Sequence, residues 1–400
     1  MKAASRQRKS SAFQTMDRAA EVACYYGFAP LPAAFRVRQE DRERVRSLQS
    51  ASGKGRSNEA AMPTIEEHAA LLRHVEKERF EEKPLPALLY ALLDSSGEGR
   101  KKRGEKHLLL SAIGSGKSIV EALLIQTASA VLLEEGHASV CLSINSIGDR
   151  DSANRFFREL NAYYRKNLDR FPASCRTLLQ KNQMVLACAH EKCRLVAEEA
   201  PKPIASLSEA SRAHFKEVLE YLEELRIPYR IDHTLIGPAA LQSEIVFEFR
   251  PADAKENAPA LTAGMRSNNL ARRFGARKEI PYVCAAVSLA REKTQGALRQ
   301  VLIKKSTLFF LQLGTEAKLK SLRVIERLRC AHIPLCHSLA RDKLISQLSA
   351  QEHLNTPYSL IMGQREALED AIIVRNTATR AQETVKISEL VAYLKKRKIA

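Results

Sequence analysis

Apolar and polar positions along the chain fall into two rhythms. Short continuous apolar runs predict buried strands, and longer stretches with one apolar face predict helices. His107–Ile113 is such a run, followed by the turn Gly114-Ser115-Gly116 and a helix from Ser118 to about Glu135. Val140–Ile144, Tyr229–Ile231, Glu244–Phe249 and Tyr282–Leu289 read as further strands. Ser152–Asn167 reads as a helix. The clearest helix spans 208–226, with Phe215, Val218, Leu219, Leu222 and Leu225 on one face and capping-box spacing between Ser206 and Glu209. Upstream the pattern is looser. Residues 13–28 predict a helix that runs into an aromatic strand start, and 64–80 predict another helix. Residues 38–62 and 95–106, rich in charge, Ser and Gly, read as loose loops.

The last hundred residues alternate strand and helix closely. Strands are expected at Thr307–Leu313, Ile333–His337, Tyr358–Met362, 371–375 and 383–387, and helices at 316–331 and around 341–353, with a final helix capped by Ser388. That spacing predicts a small α/β layer unit over 306–400, separate from a larger body over 1–300, with the boundary near 295–306.

Four hundred residues with 45% hydrophobic and 28% charged content suit a soluble globular chain of more than one domain. Charge alters the picture more. The 64 Lys/Arg against 46 Asp/Glu leave +18, spread over the chain: residues 1–57 carry +7 and 306–400 carry +6. Such a field attracts polyanions, with nucleic acid the first candidate and an anionic membrane surface behind it. No apolar stretch is long enough to span a bilayer, and the N-terminus lacks the apolar segment of a secretory signal. The eight cysteines are scattered, as expected for reduced thiols in a cytoplasmic protein.

Two local patterns suggest chemistry and then fall short. Ser111–Ser118 ends in Gly114-Ser115-Gly116-Lys117-Ser118 between an apolar strand and a helix, as a phosphate-cradling loop would. Ser111 stands where that loop needs Gly, and Val140–Ile144 ends in Asn145 rather than Asp, so an ordinary turn is the preferred reading. Cys175, Cys188, His190 and Cys193 could supply zinc ligands, but they lack the usual paired spacing, and buried thiols are preferred, with no metal site expected.

Several blocks, taken in order, resemble the histidyl-tRNA synthetases, a family of class II aminoacyl-tRNA synthetases. Ile144–Asp149 is similar to the family's LNSIGD element, Ile227-Pro228-Tyr229 stands where a GI.Y strand is found, and Val246-Phe247-Glu248 matches TVFE. Ser359–Glu366 and Ile373–Asn376 resemble consecutive elements of the anticodon-binding domain. The resemblance implies an α+β fold, with a class II antiparallel sheet core flanked by helices and a C-terminal α/β anticodon-binding-like domain. It implies homodimerisation, tRNA or other RNA as partner, and ATP with Mg²⁺ if histidine is activated.

The chain departs from the family where substrate is held. Against LVRGLDYYtRTVFE, this sequence has Gly237 for the arginine, Ala240 for the acid, Leu241 and Gln242 for the tyrosines and Glu244 for the second arginine. No FRxE-like tetrapeptide occurs between 82 and 106. Arg291 falls on the arginine of the third class II motif, and Glu66 and Arg73 keep the spacing of PEGTxxxxR; these three are candidate ATP contacts, although Glu66 and Arg73 also suit a solvated helix face. No catalytic residue is assigned. Arg327, Arg329, Arg341, Lys343 and Arg375 are candidate tRNA contacts in the last unit. The expected function is RNA binding with a degraded histidine-activation site. The alternatives are an active histidine–tRNA ligase and a regulatory synthetase-like subunit of a histidine-biosynthesis enzyme.

Overall fold

The computed structural model describes residues 13–32, 35–49, 62–78, 86–94, 106–176, 190–238, 241–253, 258–289, 299–302 and 306–399. In chain order, its first body contains β1 (Phe13–Met16), α1 (Arg18–Tyr25), β2 (Ala29–Pro30), α2 (Gln39–Gln49), α3 (Ile65–Lys77), β3 (Ala87–Asp94), β4 (Lys106–Ile113), α4 (Ser118–Glu134), β5 (Val140–Gly148) and α5 (Arg150–Lys166). After them come α6 (Glu191–Glu198), α7 (Glu209–Glu224), β6 (Tyr229–Ile231), β7 (Ser243–Pro251), β8 (Thr262–Arg266), α8 (Leu270–Arg273), β9 (Tyr282–Leu289) and β10 (Arg299–Leu302). Eight strands form one sheet in the order β2-β3-β4-β9-β8-β7-β5-β6, antiparallel from β3 through β5 with a parallel strand at each edge.

Strand periodicity divides the sheet cleanly. Leu108, Leu110 and Ala112 of β4 face an apolar layer shared with Phe247, Val283 and Val287, over which α4 lies. Helix α4 is apolar around its whole circumference, with Ile119, Leu123, Leu124, Val131 and Leu132 all buried, so it needs cover on every side. Helices α1 and α7 supply it. The alternate β4 residues Leu109 and Ile113 face a second apolar layer with Met265, Cys284 and α3. Both faces of the sheet are therefore covered, which is why its central strand reads as an unbroken apolar run.

A five-stranded sheet follows, built from β11 (Leu308–Gln312), β12 (Leu335–His337), β13 (Tyr358–Met362), β14 (Ala371–Asn376) and β15 (Gln382–Lys386) in the order β12-β11-β13-β14-β15. Its helices are α9 (Thr315–Cys330), α10 (Leu344–Leu354), α11 (Gln364–Leu368) and α12 (Leu390–Lys396). Helix α9 packs on α7, and one apolar cluster runs from Leu123 and Phe215 through to Leu322 and Ile325. Polar contacts close the same seam: Arg323 meets Glu224 at 2.9 Å, Arg329 meets Glu134 at 3.1 Å, and Tyr25 donates to the Ile333 carbonyl at 2.8 Å.

Several sequence expectations are corrected here. The stretch 13–28 is not one helix, because Asp17 caps a separate helix by accepting from Ala19 N at 2.9 Å, leaving Phe13–Met16 to pair with β10. Residues 39–49, expected as loop, are helical, with Arg44 bonding Glu76 on α3. The rest of the expected loops, 50–61 and 95–105, lies outside the described residues, and Ala87–Asp94 is an unforeseen strand. The cap of α7 is Ser208, paired with Ser211 N at 3.2 Å, not Ser206. Helix α12 has no side-chain cap, its preceding residue being Glu389 rather than Ser388.

Candidate functional site

The segment matching the substrate-holding stretch leaves β6 and turns into β7. Several of its polar groups are satisfied internally, although Gln242 Nε2 is not. Asn145 Nδ2 donates to the Leu235 carbonyl at 2.9 Å, Leu241 N and Gln242 N both donate to the Pro238 carbonyl, and Gln242 Oε1 accepts from Gly237 N. Leu235 and Leu241 are 3% and 1% exposed and belong to the apolar layer with Val246, Met265 and Leu270. Ala239 and Ala240 lie outside the described residues. Backbone and leucine side chains thus occupy this part of the sheet face, and the turn is closed by its own amide.

Closer to the sheet centre lies a buried polar strip. His107 on β4 meets Glu67 on α3 at 3.0 Å, and His68 Nδ1 lies 3.0 Å from the Tyr282 hydroxyl. Burial pulls the His68 imidazole down to about 4, so it is neutral at ordinary pH, and burial pushes the Cys284 thiol up to about 12. Neutral His, protonated Cys and Tyr make hydrogen bonds here but supply no nucleophile.

Arg73 is held between α2 and α3: Nε and Nη2 reach the two oxygens of Asp41 at 2.8 and 3.0 Å, and Nη2 also donates to the Arg36 carbonyl. Asp41 is 1% exposed, so this pair anchors α2 to α3. Glu66 is half-buried in the first turn of α3, and Arg291 lies outside the described residues.

Two site-like groups escaped the sequence reading. Arg266 on β8 and Glu121 on α4, 1% and 0% exposed, pair at 2.5 Å, and His214 Nε2 reaches the same carboxylate oxygen at 2.7 Å. Burial alone would raise Glu121; the Arg266 charge and hydrogen bonds from His214 and Arg266 outweigh it and hold the carboxyl below its ordinary range. Burial likewise opposes protonation of His214, but the Glu121 bond and charge raise it. An acid, Glu121, in the first turn of the largely apolar helix Ser118–Glu134 was the available signal, since an unpaired carboxylate is almost never found fully buried.

The second group lines a cleft of about 1000 Å³ between α5, the start of β7 and the Asn268–Glu279 connection. Gly148, with φ at +72°, turns β5 into α5, and Asp149 caps that helix by accepting from Ser152 N at 2.8 Å. Arg150, Arg158, Arg165, Arg272 and Arg273 line the opening. Another cleft, of about 800 Å³, lies beside α6 and the edge strand β6, with Arg194, Lys202, Arg230 and Arg250 set against Glu198, Asp232 and Glu248.

Lys117, the lysine of the phosphate-loop-like turn, reaches into the last unit. Its Nζ donates to the Ala340 carbonyl at 3.0 Å and pairs with Asp342, while the Ser115 carbonyl accepts from Arg266. These groups tie elements together, as the ordinary-turn reading requires. Cys175 and Cys193 share a small apolar cluster, Cys188 lies outside the described residues, and no metal-binding group of three is found among the described residues.

The five basic candidates of the last unit do not form one patch. Arg329 is 10% exposed in its side chain and is bound by Glu326 at 2.9 Å and Glu134, which makes it part of the seam. Arg327 is exposed and donates to the Ser388 carbonyl at 2.6 Å. Arg341 and Lys343 lie beyond the end of β11, where Gln312 donates to the Arg341 carbonyl at 3.1 Å. Arg375 is at the opposite end of the sheet, because β14 runs antiparallel to β13 and pairs Arg375 with Ser359.

Residues 307–397 match the family model described as "Anticodon binding domain". The chain is 25% identical to a histidine–tRNA ligase of Caldicellulosiruptor bescii over 325 residues, 80% of this chain and 77% of that protein. It is 28% identical to histidine–tRNA ligase 1 of Shouchella clausii over 290 residues, 71% and 68% of the two chains. The crystal structure of apo S. aureus histidyl-tRNA synthetase superposes with a TM-score of 0.50 at 20% identity, covering 94% of this chain and 93% of that one, and so shares the fold. None of the described helices is long and apolar enough to cross a membrane.

Proposed function

The chain belongs to the histidyl-tRNA synthetase family as a divergent member, and from that premise we propose that it binds tRNA or a related RNA without activating histidine. The observation that carries this reading is the closed turn at Gly237–Gln242. An imidazole and an ammonium need buried polar partners, and here Leu241 sits in the apolar layer while the Gln242 carbonyl is taken by Gly237 N. Loss of a single preorganised electrostatic donor typically lowers a rate by about 10²–10³. With Gly237 and Glu244 in place of the two arginines, histidine adenylation falls far below useful turnover. RNA binding needs only a basic surface on a stable scaffold, and the anticodon-binding match at 307–397 supports it.

Histidine-dependent ATP–pyrophosphate exchange tests the reading, extended to the other nineteen amino acids. No exchange above the protein-free background is expected. Exchange with histidine at the turnover of a working ligase overturns it, and would bring ATP, Mg²⁺ and the candidates Arg291, Glu66 and Arg73 into use. The reading extends to domain limits of 1–300 and 306–400, to a cytoplasmic homodimer, and to Arg327, Arg341, Lys343 and Arg375 as tRNA contacts. Light scattering of the purified chain and alanine substitution at these residues check the last two points.

A further inference from the structure

Helix α5 is amphipathic in an unusual sense: one side is core, the other a stripe of arginines. Ser152, Phe156, Leu160 and Tyr164 are buried, while Arg150, Arg158 and Arg165 line the cleft, with Phe157 half-buried among them. Among the described residues, none of these three arginines has a carboxylate partner, and neither has Arg273 across the cleft. Arg273 is pulled below its ordinary range by partial burial and by the neighbouring charge of Arg150. Three carboxylates also line the cleft: Glu279 pairs with Arg272, Asp149 accepts from Ser152 N and Ser208 Oγ, and Glu244 accepts from Ser211 Oγ. Five arginines thus face three acids, and the excess of like charge costs free energy that a bound anion would relieve. A second observation points the same way. Gln242 is 4% exposed and lines this cleft, and its Nε2 has no hydrogen-bond partner although Oε1 is occupied. A buried amide donor left unmatched suits an acceptor-rich ligand.

We propose that this cleft is a binding site for an unpaired RNA strand, whose phosphates track the α5 arginines while a base stacks on Phe157. The proposal rests on the RNA-binding reading above and places a contact on the larger body. From Arg150 to Arg165 the helix advances about 22 Å, at 1.5 Å per residue. A single nucleotide cannot bridge that span. Several consecutive phosphates of one strand can. A basic groove with an interleaved aromatic is the arrangement that binds single strands without reading their sequence.

The test uses the full chain and fluorescence anisotropy with a labelled unstructured 12-mer RNA, a hairpin RNA and tRNA, each across a salt series. The triple variant Arg150→Gln, Arg158→Gln, Arg165→Gln removes exposed charges, and far-UV dichroism checks that it stays folded. It is expected to weaken 12-mer binding and to reduce the magnitude of the log K against log salt slope by about 2, at roughly 0.7 per phosphate on a single strand. Phe157→Ala should cost about 5- to 150-fold in affinity with the slope unchanged, the range for loss of one base stack. An unchanged slope in the folded triple variant overturns the site. If tRNA affinity then falls instead with Arg341→Gln and Lys343→Gln, the RNA-binding reading survives without it. Wild-type affinity for the 12-mer and tRNA no better than for heparin overturns both, and preference for the hairpin overturns the single-strand assignment.

Discussion

Arg266→Met removes the cation that neutralises Glu121 at the junction of β8, α4 and α7. Both groups are almost wholly buried, and the carboxylate oxygen at 2.5 Å from Arg266 Nε also accepts from His214 at 2.7 Å. Two unit charges about 4 Å apart interact by about 4 kcal/mol at an effective dielectric of 20. Breaking a buried pair by removing one partner typically costs about 3–5 kcal/mol, because the other charge is left uncompensated. A loss of that size in urea-unfolding free energy is expected, followed by far-UV dichroism since the chain has no Trp. The double variant Glu121→Leu, Arg266→Met should recover most of it, as apolar replacement of a whole buried pair is often neutral. pH gives an independent reading. Glu121 is held low in the fold, so its contribution is present above the ordinary carboxylate range and is lost as pH falls through its folded value. His214 is held high, so its contribution is present below about 6.5 and is lost as pH rises through its folded value. Glu121→Gln should flatten both arms. A loss under about 1 kcal/mol for Arg266→Met, or a double variant as unstable as the single, refutes the reasoning.

Arg329→Met should destabilise the seam by about 2–4 kcal/mol, since it strips Glu326 and Glu134 of a largely buried partner, and should separate the thermal unfolding of the two units in calorimetry. Its salt slope for tRNA should stay at the wild-type value, because that guanidinium is already engaged. Lys117→Ala, at a pair with both side chains 40% and 53% exposed, should cost no more than about 1 kcal/mol, measured by urea unfolding. His68 and His337 are both pulled down to about 4 by burial, so the unfolded chain takes up their protons first as pH falls from about 6.5. Stability should therefore fall by up to about 2.7 kcal/mol per pH unit between roughly 6 and 4.5, and His337→Gln should halve that slope.

Helix α10 aside, which buries Gln347 and Gln351 while Leu344, Ile345 and Leu348 stay exposed, most C-terminal elements were legible in outline, because α9 has an apolar face and most strands are short apolar runs. Ala87–Asp94 was not, since Ala-Leu-Leu-Tyr-Ala-Leu-Leu holds helix-forming residues and becomes a strand only through pairing with β4 along its whole length. Caps failed by small offsets, as at Ser206 against Ser208, because both serines precede the same apolar face. The altered substrate stretch could be seen in the sequence, but not the way Gln242 folds back on Gly237, which depends on a turn through Pro238. The α5 stripe was hidden for a different reason. Arg150, Arg158 and Arg165 look like a solvated helix face until Arg273, more than a hundred residues away, is brought opposite them.

Net charge alone therefore says little about where a polyanion meets this chain. Several of its cations are consumed internally: Arg73 by Asp41, Arg266 by Glu121, Arg329 by Glu326 and Glu134, and Lys117 by Asp342. Each of these is surrounded by opposite charge, so its field beyond contact range is largely cancelled and salt has little to screen. Three of the four sit where the sequence reading looked for ligands, in the ATP candidates, the phosphate-loop-like turn and the tRNA candidates. The cations that attract a polyanion are those without such partners, and the α5 cleft concentrates them while the last unit disperses its own to opposite ends of the sheet. A salt-dependence measurement separates the two populations because only unpartnered cations release counter-ions from RNA. Arg73→Gln should lower stability and leave the slope alone, whereas Arg158→Gln should do the reverse. If Arg73→Gln also lowers the slope, Asp41 does not hold that guanidinium in solution, and the division between structural and ligand-binding arginines fails with it.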